Sequence, residues 1–416
     1  MEYTKLPIRG QGIVVFKALV KSTVKHNNLI SYMRRCMLDS NQLQFSIYNH
    51  DKTHQLKIQF MKVHKESNTH TGNIVITIIR NGVELILQDT TNNTGLLNSH
   101  GSYYWFSLDS QNHLLYAGIG EPRLENVKYT YHLPQYPENI RNENKAFLES
   151  LSHVCLSNIH IIRLSKDPIT AAIPLLVKNT NDLTMDDIAS MRYMPIANLS
   201  SVSQKLYDCI SGDKFVLNDE SFPEFSKAIE YSIDTSGCWC NTTIKKKASE
   251  FNKDKPNINE TYLRITLGNN NGESPGIPYV MEIWPSGHFS PIHNHAGADA
   301  IIRVLYGQIH VKLYPFLCAE KSGIPEFGTA DFSEGDITWI SPTLNQTHQL
   351  VNHNMRRPCI TIQCYTYEND NTSHYDYFDY IDANGIKQQY EPDSDMNFRV
   401  FKKTMKLEWE NRDKKI

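Results

Sequence analysis

The stretch "GHFSPIHNHAGADAIIRVLYG", Gly287 to Gly307, decides how the second half of the chain is read. Two histidines stand one residue apart, after a turn-forming run and before an apolar strand. Within a strand, residues i and i+2 share a face, so His293 and His295 can aim two imidazoles at one point, as a metal site requires. The competing reading is two polar residues at a strand entrance. A lone His-x-His does not choose between them, so the choice falls to a third ligand elsewhere.

That third ligand stands in "EGDITWISPTLNQTHQLVN", which supplies Gly335, Pro342, His348 and, four residues on, Asn352. Gly287 lies six residues before His293, and Gly297 follows the pair. Gly-x5-His-x-His with a following Gly, then Gly…Pro…His-x3-Asn, resembles the two-part pattern of the cupin superfamily. The resemblance implies a small β-barrel whose mouth holds a metal on three histidines with positions left open. Three neutral imidazoles suit iron, zinc, copper or nickel by softness.

From about residue 199 to 380 the chain resembles, more narrowly, the cysteine dioxygenases, thiol dioxygenases of that superfamily. "SPIHNHAG" with Gly307 twelve residues after His295 is similar to their first metal motif, and Trp284 stands nine before His293. "THQLVN" resembles the segment of the third ligand, His348, and "PCITIQCY" places Tyr365 seventeen residues later, where the family has its active-site tyrosine. "YLRITL" resembles the Tyr-x-Arg segment (Tyr262 and Arg264) whose arginine grips the substrate carboxylate. The segments "SSVSQKLYDCISG" and "FPEFSKAIEYSI" match the two helices that precede it.

The resemblance implies Fe(II) on His293, His295 and His348, with a small thiol and O2 as substrates. L-cysteine would be oxidised to cysteine sulfinate. Arg264 would clamp the α-carboxylate, Tyr262, Trp284 and Tyr365 would line the substrate, and Tyr365 would donate a hydrogen bond to it. The residues also allow other readings: Arg264 as a surface strand residue and Tyr365 as a core tyrosine.

Three positions depart from the family. Animal members carry a cysteine, crosslinked to the active-site tyrosine, where Ala300 stands here. The family's Ser-x-His-x-Tyr reads Thr361-x-Gln363-x-Tyr365, and glutamine cannot carry charge or exchange a proton as histidine does. Asp299 shares the face of His293 and His295 if the strand is regular, which would make it a fourth ligand; the alternative is a rim aspartate paired with Arg303. A non-catalytic cupin, a different thiol substrate and a four-ligand cupin therefore stay open beside the dioxygenase.

Around this half, the chain reads as mainly β. At 416 residues with 40% hydrophobic content it suits two domains with real cores. The expected layout is a β-sandwich over 1–195, a cupin domain with a helical lead-in over 196–390, and a polar tail over 391–416. The first ~135 residues carry short β-branched and aromatic runs, and Asn81-Gly82 between two of them signals a hairpin. "HGSYYWFSLDSQNHLLYAGIGE" faintly resembles the β-sandwich domain of farnesoic acid O-methyltransferase-like proteins. "PQYPENIRNENK" reads as a polar connector, and Ser200 as the N-cap of a helix.

A net charge of -3 gives no reason to expect nucleic acid or an anionic membrane as partner. The start "MEYTKLPIRG" lacks the pattern of a signal peptide, and no apolar run approaches the roughly 18 residues of a membrane-spanning helix. Eight scattered cysteines without a CxxC pair suit reduced thiols in the cytoplasm; Cys238 and Cys240 would share a face if their segment were a strand. The sequon at Asn92 is accordingly expected to stay unmodified.

Overall fold

A computed structural model describes residues 3–414 except 8, 10, 19–41, 64–70, 89–103, 121, 158, 166–173, 269–277, 296–297, 315–316, 318–325, 342–346 and 367–377. Cys36, Asn92, Gly297, Cys318 and Pro342 lie outside the described residues. The chain divides into two compact units, 1–172 and 173–416. It is mainly β, as expected.

The first unit holds two antiparallel sheets. One has six strands in the order Tyr3–Lys5, His153–Ser157, Gln42–Tyr48, His54–Val63, Thr71–Arg80, Val83–Gln88. The other has five: Ile159–Ser165, Gln11–Ala18, Tyr104–Asp109, Leu114–Ile119, Val127–His132. The hairpin signal at Asn81-Gly82 is realised: Arg80 pairs with Val83 across a two-residue turn with φ of 49° and 82°. Both central residues of such a turn need positive φ, which Asn and Gly tolerate best.

The connector expected at 134–145 is instead largely a helix, Glu138–Ser150, entered through Pro137 with Glu138 in its first turn. Proline is tolerated at a helix entrance, an acid there suits the helix dipole, and the buried face is Asn144, Phe147 and Leu148. Polar composition had hidden a single apolar stripe.

The second unit begins earlier than the expected residue 196. The Leu176–Lys178 strand pairs with both Tyr193–Pro195 and Ile337–Ile340, so the chain enters this unit's sheet at Leu176. That sheet has eight strands: Tyr193–Pro195, Leu176–Lys178, Ile337–Ile340, Asp299–Tyr306, Cys359–Thr366, Tyr279–Trp284, Leu263–Leu267, Met396–Asn397. A second, six-stranded sheet runs Gly328–Ser333, Gln308–Leu313, His348–Val351, Ile292–His293, Phe378–Ile381, Lys387–Tyr390. These are two separate sheets; no closed barrel forms among the described residues.

The chain passes from the larger sheet to the smaller at Gly307, between Tyr306 and Gln308. Its φ is +76°, and a Cβ there would lie 2.5 Å from the Pro358 carbonyl oxygen. Only glycine fits so close an approach in that backbone region.

The larger sheet has two unlike faces. Leu263, Ile265, Met281, Ile283, Ile301, Ile360, Ile362 and Cys364 form one, packed against the helices Ser201–Ile210, Phe225–Asp234, Trp239–Lys247 and Phe398–Glu410. Ser200 caps the first of these by accepting from the Ser203 amide, as expected. Cys238 and Cys240 do not lie on a strand: Cys238 precedes the Trp239–Lys247 helix and Cys240 is inside it. No disulfide forms among the described residues. None of the helices is long and apolar enough to cross a membrane.

The expected polar tail is largely the Phe398–Glu410 helix, capped by Asn397. Phe401 and Met405, one helical turn apart, are fully buried; Phe401 meets Phe225 and Trp239, and Met405 meets Cys240. Two lysines and a threonine between them, with Lys406, Glu408 and Glu410 beyond, obscure the 3.6-residue period. Phe401→Ala should lower the unfolding free energy of this unit by about 3–5 kcal/mol in denaturant titration, whereas an undocked tail would register no change.

Candidate metal centre

His293 and His348 face each other across one antiparallel rung of the smaller sheet. His295 follows two residues later, just past the end of its strand. The side-chain nitrogens of all three converge to within 4.8 Å of one another, and all three residues are buried. His295 Nε2 and His348 Nε2 are 3.2 Å apart. Two nitrogens each about 2.1 Å from one ion and about 100° apart have this separation, so the donor set fits a metal.

The protonation states suit it too. Burial depresses His293 to about 4, with the Arg264 charge adding to the effect against the Pro291 carbonyl. Burial likewise pushes His295 well below its ordinary value, helped by His348, His293 and Arg264. Neutral imidazoles keep a lone pair for a metal. His293 Nδ1 lies 3.0 Å from the Pro291 carbonyl oxygen, which requires Nδ1 to be the donor and leaves Nε2 as the ligand atom.

Two non-ligands hold this arrangement in register. Asn352 is fully buried; its Nδ2 donates to the carbonyls of Trp284, Pro285 and Arg357. Its backbone exchanges hydrogen bonds with Gly287 and His288. His288 and His310 are spoken for elsewhere, by Thr261 and Asp331.

Among the described residues no further histidine, cysteine or carboxylate joins the group of three. Asp299 in particular is turned away: Ser203 Oγ on the Ser201–Ile210 helix donates to its Oδ1 at 3.2 Å. Asp299 would share the face of His293 and His295 only on one continuous strand, and the two segments are separate strands. The strand of His293 ends at that residue, the Ala298 amide donates to the His295 carbonyl, and a separate strand begins at Asp299. The suggested pairing of Asp299 with Arg303 does not form either; the Arg303 guanidinium donates to the carbonyls of Ile210 and Gly212.

Facing the histidines is the second face of the larger sheet. Tyr365 stacks on His295 at 6.0 Å between ring centroids and is directly opposite Ala300 in register. Thr361 and Gln363 share its face by alternation, and both are buried. Cys364 points the other way, into the helix-packed core, as expected. Tyr262 and Trp284 form a stacked pair with centroids 4.3 Å apart.

Arg264 lies on this face, 2% exposed, and its Nη1 donates to Glu282 Oε1 at 2.6 Å. Arg264 and Glu282 are cross-strand partners, so the backbone register itself sets the pair. Burial alone would lower the Arg264 pKa, but the Glu282 carboxylate, Tyr262 and Tyr365 outweigh it and hold the guanidinium charged. Burial pushes the Glu282 carboxyl up, opposed by Arg264 and by Gln363. Removing one partner of such a buried pair costs about 3–5 kcal/mol. The arginine expected to meet a substrate carboxylate thus has a carboxylate of its own chain.

Sequence reading had missed Glu282 and Phe378. Glu282 carried a signal, a lone charge in the apolar run "YVMEIW", since a charge on a buried strand needs a partner. Phe378, whose ring lies 4.6 Å from that of His295, carried none.

No family model matches this chain, and no curated protein does. Solved structures similar to it include the cupin domain of Schizosaccharomyces pombe Cnp3, at 11% identity over 26% of this chain and 65% of that one, TM-score 0.20. An oxalate oxidase in complex with the substrate analogue glycolate matches at 16% identity over 27% of this chain and 54% of its own, TM-score 0.22. The DMSP lyase DddQ from Ruegeria pomeroyi DSS-3 matches at 15% identity over 26% and 48%, TM-score 0.20. The chain thus spans about half the length of the latter two. TM-scores near 0.2 are too low to bear on function, and the chemistry of the site rests on its own geometry.

Metal content separates the ligand sets. His348→Ala should abolish stoichiometric metal binding, read by elemental analysis after dialysis, while Asp299→Ala should keep it in full. Metal lost from Asp299→Ala would overturn the three-histidine site.

Proposed function

We propose that the chain is a metal-dependent thiol dioxygenase with Fe(II) held by His293, His295 and His348. The observation that carries the reading is the convergence of three buried imidazoles with Asp299 bonded elsewhere, because three protein ligands leave positions for both a thiol and dioxygen. The resemblance at Tyr365 and Trp284 supports thiol oxidation over other three-histidine chemistry.

Iron held by His293, His295 and His348 would supply open positions for a thiol and O2 and would favour the thiolate over the thiol. The overall conversion is R–SH + O2 to R–SO2H. Both oxygen atoms end on sulfur, which gives up four electrons, and the proton stays on the product, so no external reductant is needed. The rings of Phe378 and Tyr365 beside His295 keep water from the reacting atoms. The Tyr365 hydroxyl is the hydrogen-bond donor for the developing charge on oxygen. With Ala300 opposite it, this tyrosine carries no thioether. Gln363 can orient neighbours but moves no proton.

A second reading, a non-catalytic metal-binding module, is favoured by Gln363. Oxygen uptake decides. The Fe(II)-loaded chain should consume one O2 per thiol and place both labelled oxygen atoms on sulfur in mass spectra of the product. Tyr365→Phe should slow this by about 100-fold, and His348→Ala should abolish it. Bound iron with no uptake for any thiol would leave the non-catalytic reading standing.

A further inference from the structure

The wall opposite the histidines is charged in a way that selects a substrate class. Arg264 is the cation that a carboxylate-bearing thiol would need, yet its Nη1 already donates to Glu282 Oε1 at 2.6 Å, with side-chain exposures of 2% and 6%. The contact is not a rotamer accident: the two residues are opposite each other on neighbouring strands, and Glu282 in turn is opposite Thr361. The next cation, Lys247, is likewise taken, by Glu250 at 3.3 Å and Asp395 at 3.0 Å.

A guanidinium stays charged in any protein environment, so Arg264 and Glu282 together are neutral rather than positive. A substrate carboxylate reaching for Arg264 would come to lie beside the Glu282 carboxylate, out of reach of screening water. Like charges sharing one buried partner repel strongly. A substrate ammonium meets the opposite situation: Glu282 can accept from it while keeping Arg264. Tyr365, which stacks on His295, shares a sheet face with Thr361, the residue opposite Glu282, so the pair lies on the face that meets the histidines.

On the thiol dioxygenase reading, we propose that Glu282 is the specificity-determining residue of the site and that it admits aminothiols without a free carboxylate. The β-aminothiol group is common to cysteamine and to the N-terminal cysteine of a peptide. L-Cysteine and 3-mercaptopropionate, which carry a carboxylate, are disfavoured.

The test is equilibrium binding by calorimetry, with the full-length Fe(II)-loaded chain under argon so that no turnover intervenes. The probes are cysteamine, an amidated peptide with N-terminal cysteine, L-cysteine and 3-mercaptopropionate. Cysteamine or the peptide should bind at least about tenfold tighter than either carboxylate-bearing thiol, and the better of the two identifies the source. In Glu282→Gln, which keeps the shape but not the charge, the order should invert in favour of 3-mercaptopropionate. Tightest binding of L-cysteine or 3-mercaptopropionate by the wild-type chain would overturn the proposal, whether or not the variant folds. So would an unchanged order in Glu282→Gln, or no binding of any thiol. Oxygen uptake is measured separately: a cysteamine preference without uptake sinks the dioxygenase reading and leaves the charge selection intact, and uptake with a preference for L-cysteine does the reverse.

Discussion

The site depends on a single rung of β-pairing, His293 opposite His348. Side chains alternate along a strand, so a slip of one residue on either side would turn one imidazole to the far face of the sheet. The strands that carry this rung are short, two and four residues, and cannot fix their own register. The surrounding bonds do so. The Ser290 amide donates to Leu350 O, the Leu350 amide donates to Ser290 Oγ, and buried Asn352 ties the following turn to Trp284, Pro285 and Arg357. Asn352 and Gly287 belong to the motif without touching the histidine cluster; their part is to keep the register from which the cluster follows.

The larger sheet solves a different problem with the same alternation. Its odd and even positions sort into an apolar face under four helices and a face that bears Arg264, Glu282, Thr361, Gln363 and Tyr365. Burying so much polarity is costly unless each group is matched. The apolar face can absorb that cost because it is continuous: Phe225, Ile229, Phe401 and Met405 cover it from the helix side. Polar chemistry on one side of the sheet is thus underwritten by packing on the other.

How much of this could be read from the sequence depended on whether the signal was local. The Asn81-Gly82 turn and the Ser200 cap are set by residues adjacent in the chain, and both formed as expected. The histidine triad was legible because its spacing and flanking glycines follow from one recurring pattern. The Glu138–Ser150, Trp239–Lys247 and Phe398–Glu410 helices escaped because each hides a few apolar residues among many charged or polar ones, which reads as solvent-facing. Asp299 was placed by counting parity through a turn, where parity does not survive. Glu282 is the instructive miss: its meaning lies in its cross-strand partner, and pairing is a tertiary fact.

The docking of the Phe398–Glu410 helix has a consequence for how the protein is made. The Met396–Asn397 strand that leads into this helix pairs in parallel with the Leu263–Leu267 strand and closes that edge of the larger sheet. Synthesis proceeds from the N-terminus, and domains generally fold as units in that order. The first unit is complete at residue 172, but the second cannot bury Phe225 and Trp239, or cover its open edge, until residues 396–405 have left the ribosome. Between those moments the half that carries the three histidines waits with a bare strand and an uncovered apolar surface, the kind of surface that invites misassociation during folding.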